Sequence, residues 1–198
     1  MILFERIRCT LYEESTMQEI IDQPSLIQYV NEGHKVDYIF FWGHRKPKTG
    51  VSKSCFSQWY DSSFEIDGIR YQTAEHYMMA EKARIFNDEQ AVKKAIEAKD
   101  PRMAKKIGRS VRHFDEALWQ THRFEIVVRA NLAKFSQNQE LGSFLRSTQN
   151  RVLVEASPLD KIWGIGLAAD DPKAASPHLW KGLNLLGFAL MKVRTELM

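Results

Sequence analysis

Up to Tyr71 the chain alternates apolar and polar residues in short runs; beyond it the apolar positions recur at helical spacing. Asp37-Tyr-Ile-Phe-Phe-Trp42, Cys55-Phe-Ser-Gln-Trp-Tyr60 and Ser63-Phe-Glu-Ile66 predict strands, and Asp67-Gly68 predicts a hairpin turn into Ile69-Arg-Tyr71. The stretch from Gly43 to Ser54, with Pro47, Gly50 and three lysines, predicts a polar loop. Thr73 then caps a helix that reaches Phe86, and a second helix covers Asp88 to Ala98. Asp100 caps a third, with Pro101 at its first position and its end at Gly108. Glu116 to Phe135 reads as a long helix with Trp119, Ile126, Ala130 and Ala133 on one face, and Glu140 to Ser147 as a short one. Arg151-Val-Leu-Val-Glu155 predicts a strand. It is followed by a glycine loop at 160–166, a polar loop with Pro172 and Pro177, and an amphipathic helix from Leu183 to Leu197. Residues 1–37 read as an N-terminal extension, with a strand at Leu3–Arg8 and a short helix at Ser25–Val30. Helices and strands do not alternate regularly, which argues against a doubly wound parallel sheet.

The helix after Thr73 carries two charges inside its apolar stripe. At about 100° per residue, Glu75, Met78, Met79, Lys82, Ile85 and Phe86 share one face, with Tyr77, Ala80, Glu81 and Arg84 opposite. Glu75 and Lys82 are seven residues apart, roughly 10 Å along the axis. Charges aimed at an apolar face line a pocket or meet a distant partner, because unpaired burial is costly. A structural role fits the same residues. Glu75 at N2 suits the helix dipole, and Lys82, nearer the C-terminal end, has a stem that can snorkel.

Composition sets the boundaries of function. The chain has 198 residues, 44% of them hydrophobic, enough for one sizeable core and one domain from 38 to 198. A net charge of +3 suits an anionic small molecule and lacks the concentrated basic stripe of a nucleic-acid binder. Cys9 and Cys55 are isolated, no Cys/His pair has zinc spacing, and a reducing cytoplasm fits. The start, Met1-Ile-Leu-Phe-Glu-Arg-Ile-Arg8, meets charge after three apolar residues, so it predicts neither a signal peptide nor a membrane span.

Three further constellations carry candidate chemistry. Asp160-x-x-Trp163-Gly164-x-Gly166 puts a carboxylate, a stacking aromatic and two flexible residues together, without the dinucleotide-binding spacing; taken alone, a tight turn around a core tryptophan is the simpler reading. Arg109 after Gly108 offers a guanidinium fork for phosphate, or a surface charge at a helix end. Asn184 is an N-cap for the last helix or a ligand amide. His76 points about 100° away from Glu75, as a flank or hydrogen-bond partner rather than a metal ligand.

Six blocks taken together, in order, resemble the NADAR superfamily, the YbiA-like proteins. They are Phe56-Ser57 with Trp59; Thr73-Ala-Glu-His-Tyr77 with Lys82; Gly108-Arg109; Trp119 followed by Ala133-Lys-Phe135; Asp160-x-x-Trp-Gly-x-Gly166; and Gly182-x-Asn184-x-x-Gly187. The resemblance runs from about Asp37 to Glu196; Ser57-Gln58 stands where the family often has Ser-Asn, and the 168–178 loop is long. The resemblance implies a mostly helical α+β fold, with a small antiparallel β element packed on a helical core. It also implies cleavage of an N-glycosidic bond between ribose and base in a phosphorylated ribosyl compound. Candidate substrates are a phosphoribosylamino-pyrimidine of riboflavin synthesis or ADP-ribosylated guanine, free or in nucleic acid. Glu75, Lys82 and Asp160 are then the catalytic candidates, with Phe56, Ser57, Arg109, Trp119, Trp163, Gly164 and Asn184 as substrate-binding candidates. No metal or redox cofactor is required. Glu75 would manage the proton and Lys82 would form an imine with the ring-opened ribose, or Asp160 would support an oxocarbenium route. The rival readings are a NAD or ADP-ribose binding module without turnover and an interaction protein acting through residues 1–37.

Overall fold

The computed structural model describes residues 20–198, so Cys9 and the strand expected at Leu3–Arg8 lie outside the described residues. Helix α1 spans Gln23–Asn31 and opens on a reciprocal cap: Ser25 N donates to Asp22 Oδ1 at 2.8 Å, and Asp22 N to Ser25 Oγ at 3.0 Å. It docks through Leu26, wholly buried, and through Gln23 Nε2, which donates to Pro177 O at 2.7 Å.

Two small sheets frame a helical core. Strand β1 (Tyr38–Phe41) runs parallel to the later strand Val152–Glu155, with Phe41 opposite Glu155. Strands β2 (Phe64–Ile66) and β3 (Ile69–Tyr71) form an antiparallel hairpin whose turn, Asp67-Gly68, has positive φ at both residues as its type demands. The hairpin matches the expected antiparallel element; the parallel pair is additional.

Helix α2 (Ala74–Ile85) is the centre. It packs on α3 (Glu89–Ile96), α4 (Pro101–Arg109), α5 (Glu116–Gln137) and β3. Every residue from Ala74 to Ala80 is buried, so Tyr77 and Ala80, on the face opposite Glu75, are enclosed as well. The Tyr77 ring sits edge-on to Tyr71 at 5.0 Å. Helix α6 (Gln139–Arg146) follows α5, then β4 (Val152–Glu155), then α7 (Leu185–Glu196), which covers β4 and α5. No helix among the described residues is long and apolar enough to cross a membrane.

The segment Cys55–Tyr60 is not the expected strand. A 3-10 turn occupies Lys53–Phe56, and Lys134 Nζ, fully buried on α5, donates to Cys55 O at 2.6 Å and Ser57 O at 2.9 Å. Carbonyls that a ladder would use are taken by a side chain instead. On α5 itself the buried set includes Arg123, Asn131 and Lys134, while Ile126 and Ala133 of the expected face are only partly buried.

Candidate active site

The N-terminus of α2 places Glu75 in the interior. Thr73 is the N-cap, yet its hydroxyl bonds His76 Nδ1 at 2.8 Å rather than a backbone N–H. His76 Nε2 in turn meets Ala98 O at 3.0 Å, which ties α2 to the end of α3. Glu75 N donates to Gln58 O at 3.0 Å, so the loop after the 3-10 turn is fastened to the same helix end. Glu75 is 2% exposed, and its Oε1 has no hydrogen-bond partner. Burial pushes its pKa up to about 7; Lys105, the Trp59 indole and Arg109 pull it down, and the charge of Asp160 pushes it up.

Glu155 closes β4 in the same electrostatic field. Its Oε2 is sealed from solvent with no partner, and burial raises its pKa to about 8, with Asp160 and Glu75 adding to the rise and Lys105 opposing it. Among the described residues, no three His, Cys, Asp or Glu side chains stand close enough to share a metal ion. Facing the carboxyls are the cations of α4, half-buried Lys105 and exposed Arg109. Lys105 Nζ lies 5.8 Å from the Trp59 ring, which also packs against His44 at 5.5 Å.

Lys82 occupies the next part of this wall. Its Nζ lies 4.0 Å from the Phe114 ring centroid and 5.6 Å from Trp119. Desolvation lowers its pKa, Glu116 opposes that, and Arg109 adds to it. Arg109 therefore acts on both Glu75 and Lys82, which lie two turns apart.

Asp160 holds the Trp-Gly loop. Its Oδ1 accepts the N–H groups of Ile162 at 2.9 Å and Trp163 at 2.8 Å. Trp163 is partly buried against the core. Gly164 and Gly182 meet backbone to backbone: a Cβ on Gly182 would lie 2.3 Å from Gly164 O, and one on Gly164 2.7 Å from Glu155 O.

The remaining candidates are spread around this centre. Phe56 is wholly buried among Phe41, Phe135 and Phe144. Ser57 Oγ accepts Trp59 N at 3.1 Å, orienting that loop. Asn184 is buried in a left-handed conformation, its Oδ1 accepting Glu155 N at 2.9 Å and its Nδ2 donating to Leu153 O at 2.9 Å. It is the N-cap residue, but its amide is committed to β4 instead of its own helix. Sequence reasoning passed over Glu155 and Lys105 as site residues. The first is a lone acid ending the apolar run Val-Leu-Val, and the second lies one helical turn before Arg109.

The NADAR domain profile matches residues 40–198. An N-glycosidase of Acanthamoeba polyphaga mimivirus is 44% identical over 164 residues, 80% of this chain and 95% of that protein. The chloroplastic riboflavin biosynthesis protein PYRR of Zea mays is 35% identical over 139 residues, 67% of this chain and 20% of that longer protein. The NMR structure of the Escherichia coli protein YbiA superposes with a TM-score of 0.63 at 27% identity, covering 83% of this chain and 86% of that one.

Proposed function

The chain belongs to the NADAR domain family, and from that premise we propose that it hydrolyses the N-glycosidic bond between ribose and base in a phosphorylated ribosyl compound. The 44% identity to a named N-glycosidase supports hydrolysis of an N-glycosyl bond. The observation that carries the reading is Glu75, a sealed carboxyl whose pKa is pushed to about 7, set opposite Lys105 and Arg109. Such a carboxyl exchanges a proton near neutral pH, while the two cations attract the substrate phosphate. Asn184 and Ser57 act as positioning residues in this scheme, the first holding β4 and the second the Trp59 loop.

The substrate is a phosphoribosylamino-pyrimidine or an ADP-ribosylated guanine, free or in nucleic acid, and the site works in the cytoplasm. Similarity to a riboflavin biosynthesis protein favours the first. Lys82, desolvated against Phe114 and Trp119, supplies the amine. It adds to C1′ as the bond to the base breaks, giving an imine of the opened sugar that water then hydrolyses. Asp160 supports positive charge at the sugar if the oxocarbenium route prevails.

Incubation with a panel of ribosyl-base phosphates, followed by assay of free base, tests the activity; no release from any member, with ligand bound, would return the binding-module reading. Borohydride added during turnover is expected to trap sugar on Lys82, and Lys82→Arg to abolish trapping, because arginine does not deprotonate to attack carbon. Normal turnover by Lys82→Arg would leave the oxocarbenium route.

A further inference from the structure

Two sealed carboxyl oxygens without partners, Glu75 Oε1 and Glu155 Oε2, stand in one electrostatic field. They come from different elements, the N-terminal turn of α2 and the last residue of β4. A buried polar atom with no partner calls for an explanation. Glu155 is placed with care for a residue at a strand end. Asn184 Oδ1 accepts its N–H at 2.9 Å, Ile165 N donates to its carbonyl at 3.0 Å, and Ser157 N donates to the same carbonyl at 2.9 Å. Its backbone is thus fixed from three sides while its carboxyl is left unpaired.

We propose that Glu155 is a further catalytic residue of this site, the acid that protonates the departing base, with Glu75 the carboxylate that takes a proton from the incoming nucleophile. This rests on the N-glycosidase reading above. The step balances whichever group attacks. The C1′–N bond breaks with its electron pair passing to the base nitrogen, and the Glu155 proton joins that nitrogen. A new bond forms at C1′ to water or to the lysine amine, and the proton so released goes to Glu75. Proton exchange with solvent resets the pair. Two like charges in a desolvated site do not both ionise readily, so the pair holds one proton through neutral pH.

Burial and the neighbouring charges order the two acids. Asp160, from the Trp-Gly loop, and Glu75, from α2, both push Glu155 up, to about 8, against the pull of Lys105 on α4. Glu75 is held lower, at about 7, because Lys105, Trp59 and Arg109 all pull on it. Glu155 thus has two carboxylates raising it against one cation, and Glu75 three groups lowering it against one carboxylate, which suits Glu155 to the donor's role.

The test is Glu155→Gln, which keeps the shape and removes the proton. On a ribosyl compound whose base leaves as an anion unless protonated, kcat is expected to fall about 10²–10⁴-fold. On a ribosyl nicotinamide phosphate, whose base leaves neutral without a proton, the loss is expected to be under tenfold. The limb of falling kcat above about pH 8 should vanish in the variant. Equal losses on both substrates, or an unchanged limb, would overturn the proposal. A readout without turnover separates it from the wider reading. The infrared band of a protonated carboxyl at pH 7 should lose intensity in Glu155→Gln, measured on the folded chain. If the wild type shows no glycosidase activity while this band disappears, the N-glycosidase reading fails and the proton assignment stands. An unchanged band means Glu155 is ionised and is not the donor. Glu155→Asp, which keeps an acid on a shorter stem, is expected to recover part of the rate, and a rate no better than that of the Gln variant counts against proton donation.

Discussion

At the scale of single residues, the site sets activity against stability. Buried Glu75 and half-buried Glu155, whose Oε2 is sealed, have pKa values that rise on folding from 4.5 to about 7 and about 8. For such groups the protonated form is favoured in the fold. Stability is therefore highest at pH below the unfolded value and is lost as pH climbs through the folded value. For Glu75, raised from 4.5 to about 7, the loss by pH 8 is on the order of 3 kcal/mol. Glu75→Gln should therefore melt about 2–6 °C above the wild type at pH 8, with little gain at pH 4.5, in thermal scans at both pH values. The same variant should lose roughly 10²-fold or more in kcat with a smaller change in KM, measured on whichever ribosyl phosphate is turned over. Glu75 and Lys82 were legible in the sequence because each is a charge set among Met78, Met79, Ile85 and Phe86. Glu155 was not, because an acid after Val-Leu-Val reads as the wet end of a strand; the groups that fix its backbone, Asn184 and the Trp-Gly loop, are distant in sequence.

At the scale of elements, the departures from periodicity share one cause: polar side chains do structural work inside. Lys134 replaces a strand ladder, Asn131 donates to Gln58 Oε1 at 2.8 Å, and Arg194 donates to Thr148 Oγ1 at 2.8 Å. A hydrophobic count places such positions on the surface, so it found Trp119, Ile126, Ala130 and Ala133 on the core side of α5 but not the buried Arg123, Asn131 and Lys134, and it assigned a strand to Cys55–Tyr60. Of the caps read in the sequence, Asp100 is one, whereas Thr73 and Asn184 turn their side chains elsewhere; Asp88 and Asp115 are caps that the pattern did not single out. Asp88, Asp100 and Asp115 each accept an N–H three residues on, at 3.3, 2.8 and 2.7 Å. Lys134→Met keeps the stem and removes the donors of Cys55 O and Ser57 O. It is expected to cost about 2–4 kcal/mol in urea unfolding and to raise KM, because the released turn carries Gln58 and Trp59 to the site. A variant that unfolds at the same urea concentration as the wild type would mean that water replaces the ammonium.

At the scale of the whole molecule, the net charge of +3 is small, and the cations near Glu75 matter more than the sum. Arg109 is exposed and Lys105 half-buried, so their attraction for a phosphorylated ligand passes partly through solvent. Salt should weaken it, since the screening length shrinks to about 8 Å at physiological ionic strength. KM for a phosphorylated substrate is expected to rise several-fold between 20 mM and about 500 mM salt, with kcat changing little, while Arg109→Ala should flatten that dependence. A salt-independent KM would place the phosphate elsewhere.

The contact between Gly164 and Gly182 bears on how this protein can diversify. A Cβ at Gly182 would stand 2.3 Å from a backbone oxygen, and one at Gly164 2.7 Å from another, so no L-residue enters without moving main chain. Mutation cannot readily redecorate that wall, and a lineage drifting toward a new substrate finds it closed. The loop beside Trp59 is permissive. His44, Arg45, Lys46, Lys48 and Thr49 are exposed, and His44 reaches the Trp59 ring at 5.5 Å from the same 43–54 loop. New specificities are therefore expected to arise by substitution and insertion in residues 43–54, and a library confined to that loop should yield more altered-substrate clones than one of equal size spread over residues 160–166 and 180–184.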